Sequence, residues 1–269
     1  MSEERRAEDL NGSEPREVAI PLLVEAHGGR LLALASRICG HAQEAEDLVQ
    51  ETFLQAYRKW DQFEGRSRPT TWLYSIASRL CARMHRTRSG EPRRTESLEA
   101  LLPFGEEVIG IVPREGDALE EQVRLEGRER VERAIAELPE DFRMPLVLKE
   151  LIGLSLEETA QVLEVLPATI KTRLHRARLK VRKALEEVLP REPVPQAIFS
   201  RQICLDLLNA KQETLDSGVD FEFPDRVVCE RCSEVFATLD LSRELCRELA
   251  RGELPEGLRE RVLASLEPR

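Results

Sequence analysis

The sequence has few of the residues that build β-sheets. Aromatic residues make up 4% of the 269 positions, while charged residues make up 33%. Runs of β-branched residues are short, and Leu, Ala, Glu and Arg dominate, a composition typical of helical proteins. The length allows about two domains, each able to bury a core. We therefore predict an all-α fold with almost no sheet, made of two helical domains and a small helical C-terminal domain.

Long hydrophobic runs are also missing. No apolar run approaches the roughly 20 residues that a membrane span requires. The N-terminal stretch MSEERRAEDLNGSEPRE lacks the apolar segment of a signal peptide. We therefore expect a cytoplasmic protein without a membrane segment. In that reducing compartment the six cysteines are poor candidates for a disulfide framework.

Signatures of catalysis are not found either. The chain contains no glycine-rich phosphate loop, no nucleophile–base constellation and no paired carboxylates in a pocket-forming context. We predict that the protein is not an enzyme.

The stretch from Leu154 to Leu185 stands out by its charge. The whole chain has a net charge of -10, yet no Asp or Glu occurs from Val165 to Leu185. Apolar residues there recur at helical spacing and predict one buried helix face; they are Ile170, Leu174, Ala177, Val181 and Leu185. The remaining faces carry Lys, Arg and His, so a polyanionic partner is indicated, and the alternative is an ordinary solvated basic face.

A second, shorter helix precedes this basic helix. Ser155 and Glu158 form the Ser-x-x-Glu pattern of a capping box, and a break at 164–167 separates the two helices. Two helices joined by a tight turn, the second one basic, predict a helix-turn-helix whose second helix enters the major groove of DNA.

Two earlier helices carry different surfaces. In HAQEAEDLVQETFLQAYRKWDQF the outward row mixes acids and polar groups, which suits a protein partner, or else is merely solvated. In TWLYSIASRLCARMHRTRS, Trp72 lies near several arginines. Aromatic faces can stack on unpaired bases and guanidinium groups can bind phosphates, although Trp72 could equally be a core residue.

These stretches resemble a known family. AEDLVQETFLQAYRKWDQFEGRSRPTTWLYSIASRLCARMHRTRS resembles region 2 of the extracytoplasmic-function sigma factors of bacterial RNA polymerase. LPEDFRMPLVLKELIGLSLEETAQVLEVLPATIKTRLHRARLKVRKAL resembles their region 4. The resemblance implies region 2 as a helical bundle (18–92) and region 4 with the helix-turn-helix (125–189). The residues around these matches predict a flexible N-terminus (1–17), an acidic linker (93–124), a second linker (190–197) and a C-terminal domain (198–269) that ordinary members of the family lack.

The resemblance also implies partners and site residues. The partners are RNA polymerase core and promoter DNA, and the activities are promoter recognition, DNA melting and initiation. Core polymerase would contact Asp47, Gln50, Glu51 and Arg58. The minus-ten element would contact Arg66, Ser67, Thr71, Trp72, Tyr74, Arg79, Arg83 and Arg86. The minus-thirty-five element would contact Thr169, Lys171, Thr172, Arg173, His175, Arg176, Arg178 and Lys180.

Two positions depart from the family pattern. Glu164 stands in the turn where a glycine is usual, and the customary proline comes one place later, at Pro167. Pro167 suits a first helical turn, where its missing N–H costs nothing. Between the two regions, eight acids against Arg114 alone mark 95–122 as a linker, either threaded into a polymerase channel as a nucleic-acid mimic or a solvated tether.

Cysteines cluster in the tail beyond Pro190. Cys229 and Cys232 form a Cys-x-x-Cys at a predicted helix start, and Cys204 lies on another predicted helix, so three thiolates could grip one zinc ion. The pattern resembles a zinc-binding anti-sigma domain, with Asp225 in the place of its histidine; Cys246 is an alternative fourth ligand that requires a break in its helix. This set would also suit a softer metal.

Three interpretations of the tail stay open. It could be a metal- or oxidation-responsive domain that contacts the sigma regions and modulates them in cis, a structural helical hairpin with or without zinc, or a thiol oxidoreductase centre. For the whole protein, the alternative to a sigma factor is a helix-turn-helix regulator that binds DNA without joining core polymerase.

Overall fold

The computed structural model describes residues 3–85, 98–103, 108–114, 116, 119–193, 198–219 and 228–266. Within these ranges the chain is helical with two three-residue strands, which confirms the predicted all-α class. The helices are α1 (Glu3–Glu8), α2 (Arg16–Ile38), α3 (Ala42–Lys59), α4 (Pro69–His85), α5 (Leu98–Leu101), α6 (Glu120–Glu137), α7 (Glu140–Leu146), α8 (Leu156–Leu163), α9 (Pro167–Leu185), α10 (Arg201–Ser217), α11 (Glu230–Leu249) and α12 (Glu256–Leu266). The strands are β1 (Val108–Gly110) and β2 (Arg191–Pro193).

The chain divides into two compact units that do not follow chain order. Unit 1 consists of Met1–Arg93, Val147–Leu166 and Leu249–Arg269, and unit 2 consists of Arg94–Leu146 and Pro167–Glu248. The predicted region 4 and the predicted C-terminal domain are each divided between the units. Helix α8 belongs to unit 1 and α9 to unit 2, and the tail contributes α10 and α11 to unit 2 and α12 to unit 1.

Unit 1 is built around α2. Helices α1, α3, α4 and α12 pack against it, together with a π-helical turn at Val147–Leu151. The predicted apolar stripe of α3 is buried as expected, from Ala45 to Ala56. Helix α2 has the length and hydropathy of a membrane span, but ten of its residues are buried within the protein, the position of a core helix.

Two glycines near the middle of α2 permit a close approach. The sequence pattern is interrupted at Gly28 and Gly29, yet the helix runs through both without a break. A Cβ atom at Gly29 would lie 2.0 Å from the carbonyl oxygen of Gly252, and one at Gly28 would lie 2.8 Å from Leu254 Cδ2. The chain that leads into α12 therefore lies against this face of α2 because the face lacks side chains.

Unit 2 surrounds α9. Helices α5, α6 and α7 pack on α9, and β1 pairs with β2 in antiparallel register, Ile109 opposite Glu192. An apolar cluster joins Ile109 of β1 and Leu179 of α9 to α10 and α11. The described part of the predicted acidic linker is thus ordered at β1, since burial of Ile109 gives that strand a place in the core.

Candidate nucleic-acid interfaces

The start of α8 has the predicted capping box. The Ser155 hydroxyl accepts a hydrogen bond from the Glu158 amide (3.0 Å), and the Glu158 carboxylate accepts one from the Ser155 amide (2.8 Å). Two N–H groups that would otherwise lack partners at the helix start are thereby satisfied.

The turn after α8 explains the first departure from the family pattern. Glu164 takes the left-handed conformation that glycine usually supplies, with φ 56° and ψ 38°, and its N–H bonds back to Ala160 and Gln161. Pro167 is the first residue of α9, as predicted. The turn therefore keeps its backbone geometry without a glycine.

Helix α9 buries its predicted apolar face. Ile170, Leu174, Ala177, Val181 and Leu185 are all at most 1% exposed. The burial fixes which residues of α9 remain for other contacts. Thr172 is exposed, and Thr169, Arg176 and Lys180 are half-buried.

Two of the predicted DNA-reading cations on α9 are bonded to side chains of α10, and a predicted histidine lies near one of the same acids. Lys171 Nζ lies 2.8 Å from Glu213 Oε1, and Arg178 Nη1 donates to Asp216 Oδ1 (2.6 Å) and Gln212 Oε1 (3.1 Å). His175 Nε2 lies 3.3 Å from Asp216 Oδ2. Side chains of α10 thus contact residues of α9 that the sequence predicts to bind DNA.

The Arg178–Asp216 pair is the most buried of these contacts. The Arg178 side chain is 4% exposed and that of Asp216 is 9% exposed. Burial alone raises the pKa of Asp216, but the hydrogen bond from His175 and the charge of Arg178 outweigh it, so the pKa lies below its ordinary value. Arg178 therefore faces an ionised partner. Arg173 forms a separate ion pair, in which its Nη2 lies 3.0 Å from Oδ1 of Asp141 in α7.

Acids also bond to the predicted minus-ten surface of unit 1. Arg68 Nη2 donates to Glu158 Oε2 (2.7 Å), and Thr71 Oγ1 donates to Glu158 Oε1 (3.0 Å). One helical turn after Ser75, Arg79 Nη2 donates to Glu164 Oε1 (2.6 Å). The sequence analysis did not include Arg68 among the predicted minus-ten residues. Its position between Ser67 and Thr71, which were both included, could have indicated it.

The aromatic residues of this surface differ in exposure. Trp60, Phe63 and Trp72 form one ring cluster with centroid distances of 5.0 to 5.7 Å, and Trp72 is half-buried at its edge. Tyr74 is completely buried, and burial raises its pKa well above its usual value. In this conformation Tyr74 is a core residue, so the expected contact between its ring and a base does not fit its position.

The other predicted minus-ten residues lie at the surface or outside the described part of the chain. Arg66 is exposed beside Glu64 (2.6 Å), Ser67 is half-buried and Arg83 is exposed. Arg86 lies outside the described residues.

The predicted polymerase-contacting row lies on the outer side of α3. Asp47 and Arg58 are exposed, and Gln50 and Glu51 are half-buried. Helix α12 packs on α3 beside this row, where Arg261 forms an ion pair with Glu46. A second ion pair joins Arg259 to Glu25 of α2 at 2.5 Å.

Three of the predicted metal ligands share one buried cluster. Cys204, Cys229 and Cys232 are each at most 5% exposed and lie in the apolar cluster of unit 2. Burial raises the pKa of Cys232, and the neighbouring Cys229 and Cys204 thiols raise it further. Burial acts in the same direction on Cys229, but hydrogen bonds from backbone N–H groups, chiefly that of Cys232, lower its pKa overall.

The remaining predicted ligands do not complete a metal site in the described residues. Helix α11 runs unbroken from Glu230 to Leu249, so Cys246 lies about 21 Å along the helix from Cys232 and the alternative ligand is wrong. Asp225 lies outside the described residues. Across the ranges that are described, no three His, Cys, Asp or Glu side chains are arranged to hold a metal ion. The arrangement is a thiol contact centred on Cys232 and not a preformed ligand cage.

Comparison with known proteins identifies the regions that carry these surfaces. A family model for sigma-70 region 2 matches residues 23–91, and one for sigma-70 region 4 matches residues 128–181. The two regions in this order define a DNA-binding, sigma-70-type transcription initiation protein, which is not an enzyme.

Relatives narrow the class to a family. The ECF RNA polymerase sigma factor SigW of Bacillus subtilis is 33% identical over 172 residues, which cover 62% of this chain and 88% of the relative. RNA polymerase sigma-H factor of Pseudomonas aeruginosa is 34% identical over 64% of this chain and 88% of its own length. The chain belongs to the extracytoplasmic-function family of RNA polymerase sigma factors.

One solved structure contains a sigma factor that is similar in sequence to this chain. The sigma factor RpoE of Bartonella quintana, in complex with the anti-sigma factor NepR, is 27% identical, with a TM-score of 0.40 over 61% of this chain and 94% of that one. The region 4 model ends at residue 181, so α10, α11 and α12 follow the matched regions.

Proposed function

We propose that this sigma factor binds core polymerase in the cytoplasm, directs it to promoters, and is modulated in cis by its tail. In this proposal the outer row of α3 contacts the polymerase, the surface around Thr71, Trp72 and Arg79 of α4 holds the melted minus-ten strand, and α9 reads the minus-thirty-five element. Family membership supports these roles, and so does the grouping of cations on α4 and α9.

One observation carries the proposal of modulation: acids of α10 are bonded to the cations of α9. Most protein–DNA affinity comes from cations that bind phosphates. In the ion pairs with Glu213 and Asp216, the same N–H groups of Lys171 and Arg178 do not bind phosphates. The tail would therefore lower DNA affinity in this conformation, and removing its two carboxylates would raise it.

The test compares the full-length protein with Glu213→Gln/Asp216→Asn in binding to a fluorescein-labelled duplex of mixed sequence. We expect the variant to bind on the order of tenfold more tightly, since Lys171 and Arg178 lose the two carboxylates that compete with phosphates. Asp206→Asn is the matched control, because Asp206 lies on α10 but is exposed and bonds to Gln202 of its own helix.

The outcomes of this comparison are distinct. Masking predicts tighter binding by the double variant alone, and greater runoff transcription with core polymerase at the cognate promoter. Equal affinity of all three proteins for the duplex would show that α10 does not mask α9.

We propose further that the thiols of α10 and α11 make the tail responsive to a thiophilic metal, with zinc held by Cys204, Cys229 and Cys232 and with Asp225 as the fourth ligand. Buried thiols that share one contact are soft donors suited to such an ion, and bound zinc would supply charge and a cross-link between two helices. Leu179 of α9 lies in the same apolar cluster as the three thiols. A metal bound at the thiols would therefore change the packing around the helix proposed to read DNA.

Zinc content measured on the purified protein tests the thiol proposal. We expect stoichiometric zinc in the wild type and its loss in Cys229→Ser/Cys232→Ser, because zinc requires thiolate ligands. Cys246→Ser is the control: it removes another buried cysteine of α11 that lies far along the helix from Cys232. The same zinc content in all three proteins would refute the metal site.

A further inference from the structure

The first helix of the helix-turn-helix carries a carboxylate that serves two elements at once. Glu158 closes the capping box of α8 through the Ser155 amide, and it also accepts hydrogen bonds from Arg68 and Thr71 at the start of α4. Arg68 donates to Glu158 through both Nε and Nη2, and its Nη1 lies 3.9 Å from Glu8 Oε2. Arg68 and Glu158 are 90 positions apart in the chain, and both belong to unit 1.

Exposure distinguishes this contact from the neighbouring one. The side chains of Arg68 and Glu158 are 50% and 19% exposed, whereas those of Arg79 and Glu164 are each 65% exposed. Exposed ion pairs contribute little and are screened by salt. The Glu158 contact is therefore the dominant one, and the Arg79–Glu164 pair adds a weaker contact at the other end of α8.

Glu158 stays ionised well below neutral pH. Burial alone raises its pKa, but the hydrogen bonds from Arg68, the Ser155 amide and Thr71 outweigh burial and lower the pKa to about 2. The carboxylate is ionised at neutral pH, so a competing anion, and not a change of pH, is what would displace it.

The chemistry of the bound groups indicates which anion competes. A guanidinium fork binds carboxylate and phosphate in the same bidentate manner, and a threonine hydroxyl donates to either. In the proposed function, the residues around Thr71 hold melted DNA. We infer that α8 is a latch on this surface: Glu158 takes the place of a strand phosphate on Arg68 and Thr71, and single-stranded DNA binds there once α8 has left.

This inference rests on the proposed role of α4 but concerns a different part of the chain from the tail. It makes Arg68 a strand-binding residue, and it gives the helix-turn-helix an inhibitory role in unit 1. A protein with a neutral residue at position 158 should then bind single-stranded DNA more tightly even with its tail intact.

The test uses the full-length protein and a fluorescein-labelled 12-nucleotide single strand of mixed sequence at low salt. Glu158→Gln removes the charge and keeps the capping box, which glutamine also closes. We expect binding about threefold to tenfold tighter than in the wild type, because a charge-assisted contact no longer competes. Glu157→Gln is the matched control: it removes one charge from the same helical turn at an exposed position.

Arg68→Ala, made in the wild type and in the Glu158→Gln background, tests whether the gain in affinity depends on Arg68. In the Glu158→Gln background it should abolish the gain, which would support the latch. If wild type, Glu158→Gln and Glu157→Gln bind equally and Arg68→Ala weakens binding, the surface binds DNA without a latch and this inference fails alone. If Arg68→Ala has no effect in either background, the strand-binding role of this surface fails and the inference fails with it.

Discussion

Glu164 adopts a left-handed backbone conformation that residues with a side chain do not favour. A left-handed backbone is strained for a residue with a Cβ, and glycine is the usual occupant at a helix end. Glu164 nevertheless takes this conformation and directs its carboxylate to Arg79. Backbone strain and an ion pair therefore oppose each other at this residue.

Comparing two substitutions isolates the backbone contribution. Glu164→Gly and Glu164→Ala both remove the ion pair, but only glycine relieves the strain. We expect Glu164→Gly to be about 1 kcal/mol more stable to urea unfolding than Glu164→Ala. Equal free energies of unfolding would mean that the left-handed turn does not persist in the variants.

At the scale of elements, helices are positioned by the absence of side chains on a neighbouring helix as well as by apolar stripes. Helix α2 has no side chain at Gly28 and Gly29, and the chain entering α12 fills that space. Glycine in a helix interior costs about 1 kcal/mol relative to alanine. The close approach of the Gly252 carbonyl offsets that cost by allowing α12 to pack on α2 and α3.

Alanine at this position should therefore destabilise unit 1 although alanine favours helices. The Cβ of Gly29→Ala would meet a backbone oxygen that cannot rotate away, so we expect a loss of about 1–3 kcal/mol in thermal or urea unfolding. Gly257→Ala in α12, where the nearest atom is 3.9 Å away at the end of an arginine, should be neutral or stabilising. A stabilising effect of Gly29→Ala would contradict the close approach.

At the scale of the whole molecule, charge is arranged in the same way in each unit. The chain carries a net charge of -10, and each unit places acids on cations that the proposed function assigns to DNA. In unit 1 the acid is Glu158 of α8, and in unit 2 it is Asp216 of α10. In the proposed function, an internal carboxylate of each unit would compete with DNA, so the basic surfaces of this acidic protein would not bind DNA indiscriminately.

Much of the local structure could be predicted from the sequence alone. Helical periodicity predicted the buried faces of α3 and α9, and the Ser155–Glu158 spacing predicted the start of α8. The order of the two regions also indicated the family. The buried faces and the capping box depend on residues within a few positions of each other, where helix geometry fixes the relation between spacing and direction.

Tertiary structure alone decided which partners the charged residues have. Arg178 and Asp216 are 38 positions apart and Arg68 and Glu158 are 90 positions apart, and no periodicity relates them. The same holds for Tyr74, whose ring is in the core, and for Gly29, whose neighbour is Gly252. Residues brought together by packing between distant segments leave no local pattern, because their contact depends on the position of whole helices.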